Sequence, residues 1–143
     1  MTTPLPTTTH DDFEIWLSDM DAPLQALRAD YPDLSDGPKS LPALESIVLS
    51  EFETVDAALG PANTRRVDRL ARYLGEVFRT TLGGEWGIEL KDEKDAYFGL
   101  PVVKTPVGIY CPLALVTATV DRRRGIYLSG IMSKAILRRD KKL

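Results

Sequence analysis

The chain has 143 residues, 43% hydrophobic and 27% charged, which is the size and balance of one folded domain with its own core. Its formal net charge is −3 and its pI near 5.2, too acidic for an ordinary basic nucleic-acid module. A single cysteine excludes an intrachain disulfide, and one histidine with one cysteine excludes the usual structural zinc sites. The N-terminal "MTTPLPTTTH" lacks the basic and apolar regions of a secretory signal. The longest apolar run, 113–120, is too short to span a bilayer. These features lead us to expect a cytoplasmic protein with no membrane partner.

The charge is unevenly distributed. Residues 1–60 hold 12 acids against 2 bases, and residues 61–143 hold 9 acids against 16 bases, so −10 and +7 sum to −3. Two readings follow: an acidic face for a partner, or acidic helices that meet the basic half inside the fold.

In chain order, residues 1–10 read as a disordered lead-in. Asp11 or Asp12 can cap a helix that carries Phe13, Trp16, Leu17 and Met20 at spacings of three and four. Pro23 forces a break or a restart at Asp21, after which Leu24 and Leu27 continue the apolar face. "DYPDLSDGPKS" (30–40) is loop. Ser40 then opens a helix with Leu41, Leu44, Ile47, Val48, Phe52 and Val55 on one face, where only Glu51 breaks the stripe. "LGPAN" (59–63) ends it, and Asn63 or Thr64 caps the strongest helix of the chain. Its face carries Val67, Leu70, Ala71, Leu74, Val77, Phe78 and Leu82; Arg65, Arg66, Arg69, Arg72 and Arg79 form an arginine-rich flank read as solvated. Gly83 stops it as a left-handed C-terminal glycine.

The period then changes from 3.6 to 2. Trp86, Ile88 and Leu90 alternate with Glu85, Gly87, Glu89 and Lys91 as a half-buried strand. "DEKDA" (92–96) is a turn, 97–104 a second strand interrupted by Pro101, and 108–111 a third, giving an antiparallel meander over about 85–111. Residues 112–124 suit a helix by Pro112 in the first turn and Gly125 after a basic last turn, but suit a strand by their valines and threonines. A helix over 126–137 and a frayed basic tail over 138–143 complete a single domain. The class is α+β, with helices before and after the meander.

Chemistry is scarce. His10, the lone histidine, lies in the lead-in, so no serine or cysteine triad can be assembled around it. "LGG" (82–84) follows a helix, whereas a phosphate loop follows a strand and opens a helix. No metal or cofactor is expected. Asp92, Glu93 and Asp95 read as a polar turn, and Cys111 as an inert buried thiol. Glu76 keeps a question open. Buried beside Arg72 or Arg79 it would carry a perturbed pKa, one signature of a working acid or base; on the surface it would form ordinary i, i+4 or i, i+3 pairs with them. Trp16 and Trp86 read as core or rim aromatics rather than stacking platforms.

"RYLGEVFRTTLGGEW" with "GLPVV" (72–86 and 99–103), "CPLALV" (111–116) and "SLPALE" (40–45) resemble a loose group of small bacterial α+β domains. Some domains of that kind are similar to immunity proteins that neutralise a toxin, or to accessory proteins of toxin and secretion clusters. The resemblance implies protein binding and supplies no catalytic residue. The leading expectation is a non-enzymatic, immunity- or antitoxin-like domain whose acidic residues Asp12, Glu14 and Asp19 meet a basic toxin or enzyme. The alternative is a small-ligand domain or histidine-independent enzyme with a pocket around Arg72, Glu76, Trp86 and Tyr97. A third expectation is homo-oligomerisation through the sheet edge or the last helix. Nucleic acid is disfavoured, because phosphate binding needs the arginines on one continuous face.

Overall fold

The computed structural model describes residues 9–141. Helix α1 (His10–Ser18) is capped by Thr9, whose hydroxyl accepts the Asp12 N–H at 3.0 Å. Asp11 and Asp12, expected as caps, instead occupy the first turn, where their charge meets the positive end of the helix dipole. The chain restarts at Asp21 as α2 (Asp21–Asp30), because Pro23 in a first turn has no N–H to leave unpaired. Phe13, Trp16, Leu24 and Leu27 are buried. The proline-rich loop then enters a short 3-10 turn (Pro38–Ser40) and α3 (Leu41–Glu51).

The second amphipathic helix is shorter than its apolar stripe. It ends at Phe52, which takes an extended conformation, and Thr54 opens a separate helix, α4 (Val55–Ala58), by accepting the Ala57 N–H at 3.1 Å. A 3-10 turn (Pro61–Asn63) leads into α5 (Thr64–Leu82). Helix α5 is the spine. All seven apolar residues of its expected face are buried, and complete burial of a Leu, Val or Phe side chain contributes about 1.5–3 kcal/mol. Gly83 has φ 73° and donates its N–H to the Arg79 carbonyl, which stops the helix as its sequence predicts.

Strands β1 (Glu85–Gly87), β2 (Val102–Thr105) and β3 (Gly108–Tyr110) form an antiparallel sheet in the order β1-β2-β3. The pairs Trp86–Val103 and Val103–Tyr110 place these three residues on one sheet face, packed against the core. Glu85, Lys104 and Ile109 share the other face. The strands are shorter than expected. The first stops at Gly87 instead of Lys91, and the second begins at Val102 instead of Tyr97. Pro101, immediately before β2, has no N–H to donate, and residues 88–101 leave the ladder.

The ambiguous 112–124 stretch is a helix, α6 (Pro112–Arg122), followed by α7 (Tyr127–Lys141). Helix α7 continues through 138–141, which the sequence suggested would fray. Leu128, Met132 and Ala135 anchor it, and Arg139 donates to the Thr81 carbonyl at 2.9 Å, capping the C-terminal end of α5. Residues 1–8 of the expected lead-in and 142–143 of the expected tail lie outside the described residues.

Two long-range caps fix α6 and α7 against α3. The fully buried Glu45 accepts the Tyr127 and Leu128 N–H groups at 3.1 and 2.8 Å, and so caps the start of α7. Arg123, held at φ 48°, donates to the carbonyls of Leu49, Phe52 and Glu53 at the end of α3. Among the described residues the architecture is seven α-helices around a three-stranded meander, an α+β fold. No helix of the described residues is long and apolar enough to cross a membrane.

Candidate functional site

Gly75 explains how the middle of α5 meets the sheet. A Cβ at this position would lie 2.0 Å from Cη2 and 2.3 Å from Cζ2 of Trp86, so the indole of β1 rests directly on the helix backbone. Trp86 packs edge-on against Trp16 of α1, with ring centroids 5.0 Å apart at 78°. The Trp86 indole N–H donates to Glu76 Oε2 at 2.8 Å. Arg79 grips the same carboxylate with Nε at 2.7 Å and Nη2 at 2.9 Å. One glycine therefore admits the indole, and the next residue fixes its orientation.

Behind this pair lies a second, fully buried cluster. Arg72 was expected on the solvated flank but is 0% exposed. Its Nε donates to Asp68 Oδ2 at 2.7 Å and its Nη1 to the carbonyls of Trp16 and Asp19 at 2.8 and 3.1 Å. The guanidinium lies 4.2 Å from the Trp16 ring centroid, and the Trp16 indole donates to Asp68 Oδ1 at 2.8 Å. Of the two helical pairs considered for Glu76, Glu76–Arg79 forms; Arg72 turns one turn back to Asp68 instead.

The electrostatics of the two carboxylates differ. Burial pushes the Asp68 carboxyl above its ordinary range, opposed by the hydrogen bonds from Trp16 and Arg72. Burial would also raise Glu76, but hydrogen bonds from Arg79 and Trp86 outweigh it and hold this carboxyl below its ordinary value. Glu76 is thus an ionised carboxylate with both oxygens engaged, poorly suited to accept or deliver a proton near neutrality. Burial likewise raises the Cys111 thiol, which agrees with an inert cysteine.

In front of Glu76 and Trp86 an open groove of about 490 Å³ runs between the α1–α2 joint, α5 and β1. The half-buried Leu17, Met20 and Trp86 supply its apolar surface, and the exposed Asp21 and Glu85 its charge. Arg79 also lines it, neutralised by Glu76. Glu76 reaches a second hollow of about 190 Å³ on its other side, lined by Leu24, Tyr73, Val77 and Thr80 among others.

The structure brings Arg72, Glu76, Trp86 and the backbone of Asp19 into one neighbourhood, but Arg72 has no access to solvent. Tyr97 is elsewhere: it lines a hollow of about 320 Å³ on the far side of the sheet with Glu89, Val102, Lys104 and Ile109. Glu14 is exposed on α1 with His10 at 3.4 Å, and Asp12 is half-buried; neither lines the groove. In the 92–96 turn Asp92 and Asp95 accept the Lys94 and Tyr97 N–H groups, as a polar turn requires. Among the described residues no three His, Cys, Asp or Glu side chains are grouped to hold a metal ion.

Sequence reasoning missed the buried Asp68 and Glu45, and it did not single out the exposed Asp21 and Glu85 as groove residues. Asp68 carried a usable signal, one helical turn before an arginine that itself stands beside apolar positions. Glu45 carried none, since its partners are 82 and 83 residues away. Compared with protein-family models, curated proteins and solved structures, the chain matches none.

Proposed function

We propose that this domain binds a basic protein partner through the groove between the α1–α2 joint, α5 and β1, without chemistry of its own. The observation that carries the reading is the composition of that groove. Its apolar surface of Leu17, Met20 and Trp86 is flanked by the exposed Asp21 and Glu85, neither of which forms an ion pair among the described residues, although Lys104 stands opposite Glu85 in the β1–β2 pair. An apolar centre with a charged rim is the anatomy of a transient protein interface, and unpaired rim charges steer an oppositely charged partner. The small-ligand alternative is weakened by the same geometry. The Trp86 N–H and both Glu76 oxygens are used inside the protein, so they offer a small molecule little directional bonding. The narrower toxin-neutralising role rests on the sequence resemblance alone, and no groove residue adds to it.

The test is affinity capture from native lysate with the wild-type chain and with the Asp21→Lys/Glu85→Lys variant. The wild type should retain a basic partner at low salt, and the reversal should weaken retention by about tenfold or more. A partner held equally by both, or none recovered at any salt, sinks the proposal.

A further inference from the structure

Two exposed helix faces lie outside the groove, and they complement each other. On α1, Asp11, Glu14, Ile15 and Ser18 recur at i, i+3, i+4 and i+7, which is one face of a helix, and all four are exposed. On α7, Lys134, Leu137, Arg138 and Lys141 follow the identical spacing, and all four are exposed. Each stripe is about 10 Å long at 1.5 Å per residue. Each places one large apolar side chain in water among like charges: Ile15 is 51% exposed and Leu137 60%. One stripe carries two carboxylates and the other three cations. Among the described residues no ion pair joins the two stripes: the acidic stripe has His10–Glu14 alone, and Lys134, Arg138 and Lys141 make none.

We propose that the occupant of the acidic α1 stripe is the basic α7 stripe of a second copy of this chain. An exposed Ile or Leu alone would need no explanation. Here Ile15 stands at i+4 of its stripe and Leu137 at i+3 of a stripe of equal length and opposite sign, so that an antiparallel helix-on-helix contact would set Ile15 against Leu137, Glu14 against Arg138 and Asp11 against Lys141. A single helix pair buries less than the about 1,200 Å² of a standard stable interface. The association is therefore weak, with a Kd between about 10 μM and 1 mM, and it is salt-sensitive because every charge lies at the rim. This goes beyond the groove reading and uses none of its charged residues.

The experiment is analytical ultracentrifugation of the purified chain across that concentration range. Two variants accompany it: Asp11→Lys/Glu14→Lys, whose α1 stripe becomes basic, and Lys134→Glu/Arg138→Glu, whose α7 stripe becomes acidic. Wild type should rise above the 15.9 kDa of one chain as concentration increases at low salt. It should return toward that mass at about 0.5 M salt, where the Debye length is only a few ångströms. Each variant alone should associate at least about tenfold more weakly, because its two stripes then repel. An equimolar mixture of the two should associate again, since each restores the complement of the other. That rescue cannot come from misfolded chains, and circular dichroism of each variant checks the helices directly.

A wild type that stays at one chain's mass to about 1 mM overturns the proposal, as does a mixture that fails to recover. Retention of monomeric protein on heparin, lost with Lys134→Glu/Arg138→Glu, also overturns it and assigns the α7 stripe to a polyanion. The Asp21→Lys/Glu85→Lys variant should self-associate as wild type does. Failure here accordingly leaves the groove reading intact, and failure of lysate capture leaves self-association intact.

Discussion

At residue scale, Gly75 and Glu76 together determine where Trp86 lies. Gly75→Ala places a methyl group inside the indole's van der Waals envelope, so either the ring or the helix must move. The expected cost is about 1–3 kcal/mol in urea unfolding, with a change in tryptophan emission. Gly75→Ala combined with Trp86→Leu should recover part of that loss. If Gly75→Ala leaves both stability and emission unchanged, the close packing described here is wrong. Glu76 makes a pH prediction whose sign follows from its lowered folded-state pKa. The unfolded chain takes up a proton near the ordinary value of 4.5 and the folded protein only at lower pH, so the folded state holds fewer protons in between. The stabilisation is complete above about pH 4.5 and is lost as pH falls through the folded value. Subtracting the unfolding curve of Glu76→Gln from that of wild type at each pH isolates this contribution. It should amount to no more than about 1 kcal/mol, because the pair is partly exposed and water screens it. A difference that grows toward low pH would contradict the assignment.

At element scale, Arg72 ties the joint between α1 and α2 to α5. Arg72 satisfies two carbonyls at the end of α1 and the buried carboxylate of Asp68, while Trp16 covers its plane. Arg72→Met keeps much of the volume but leaves Asp68 buried without its cation and two carbonyls without a donor. The expected loss is about 3–5 kcal/mol, because breaking one side of a buried pair strands the other charge. Hydrogen exchange should quicken first in α1, before the core of α5 opens. Equal protection of α1 in variant and wild type would show that Arg72 is not its anchor. Since α1 and α2 form one wall of the groove, this buried pair sets the groove's shape without lining it.

At the scale of the whole molecule, the charge asymmetry of the sequence is partly resolved by folding. Asp30 of α2 pairs with Arg69 at 2.6 Å, and Glu51 of α3 with Arg66 at 2.8 Å, so acids of the first half do meet bases of the second. Asp11, Glu14 and Asp21 stay in solvent without joining that exchange. Asp30→Ala should therefore lower stability by less than about 1 kcal/mol, as expected for an exposed carboxylate in a single pair. A loss of several kcal/mol in thermal unfolding would mean that the cross-half pairing is structural rather than incidental. The acids left over give the α1–α2 side of the molecule its charge, while α7 carries exposed bases on another surface.

By itself the sequence determined what depends on neighbours within a turn or two. The face of α5, its stop at Gly83 and the change to strand at Glu85 all follow from local periodicity, backbone freedom and caps. Side-chain period also placed Trp86 on the inner face of the sheet. Only the tertiary structure decided where the strands ended, that 112–122 is helix, and that α3 stops at Phe52. For 112–122 two local preferences were close, and at the end of α3 a distant partner, Arg123, takes up the last carbonyls. It also decided the fate of the charges. Arg72, Asp68 and Glu45 look like solvated residues until the chain closes over them, because burial of a charge is tolerated only where hydrogen-bond partners converge, and those partners come from remote positions.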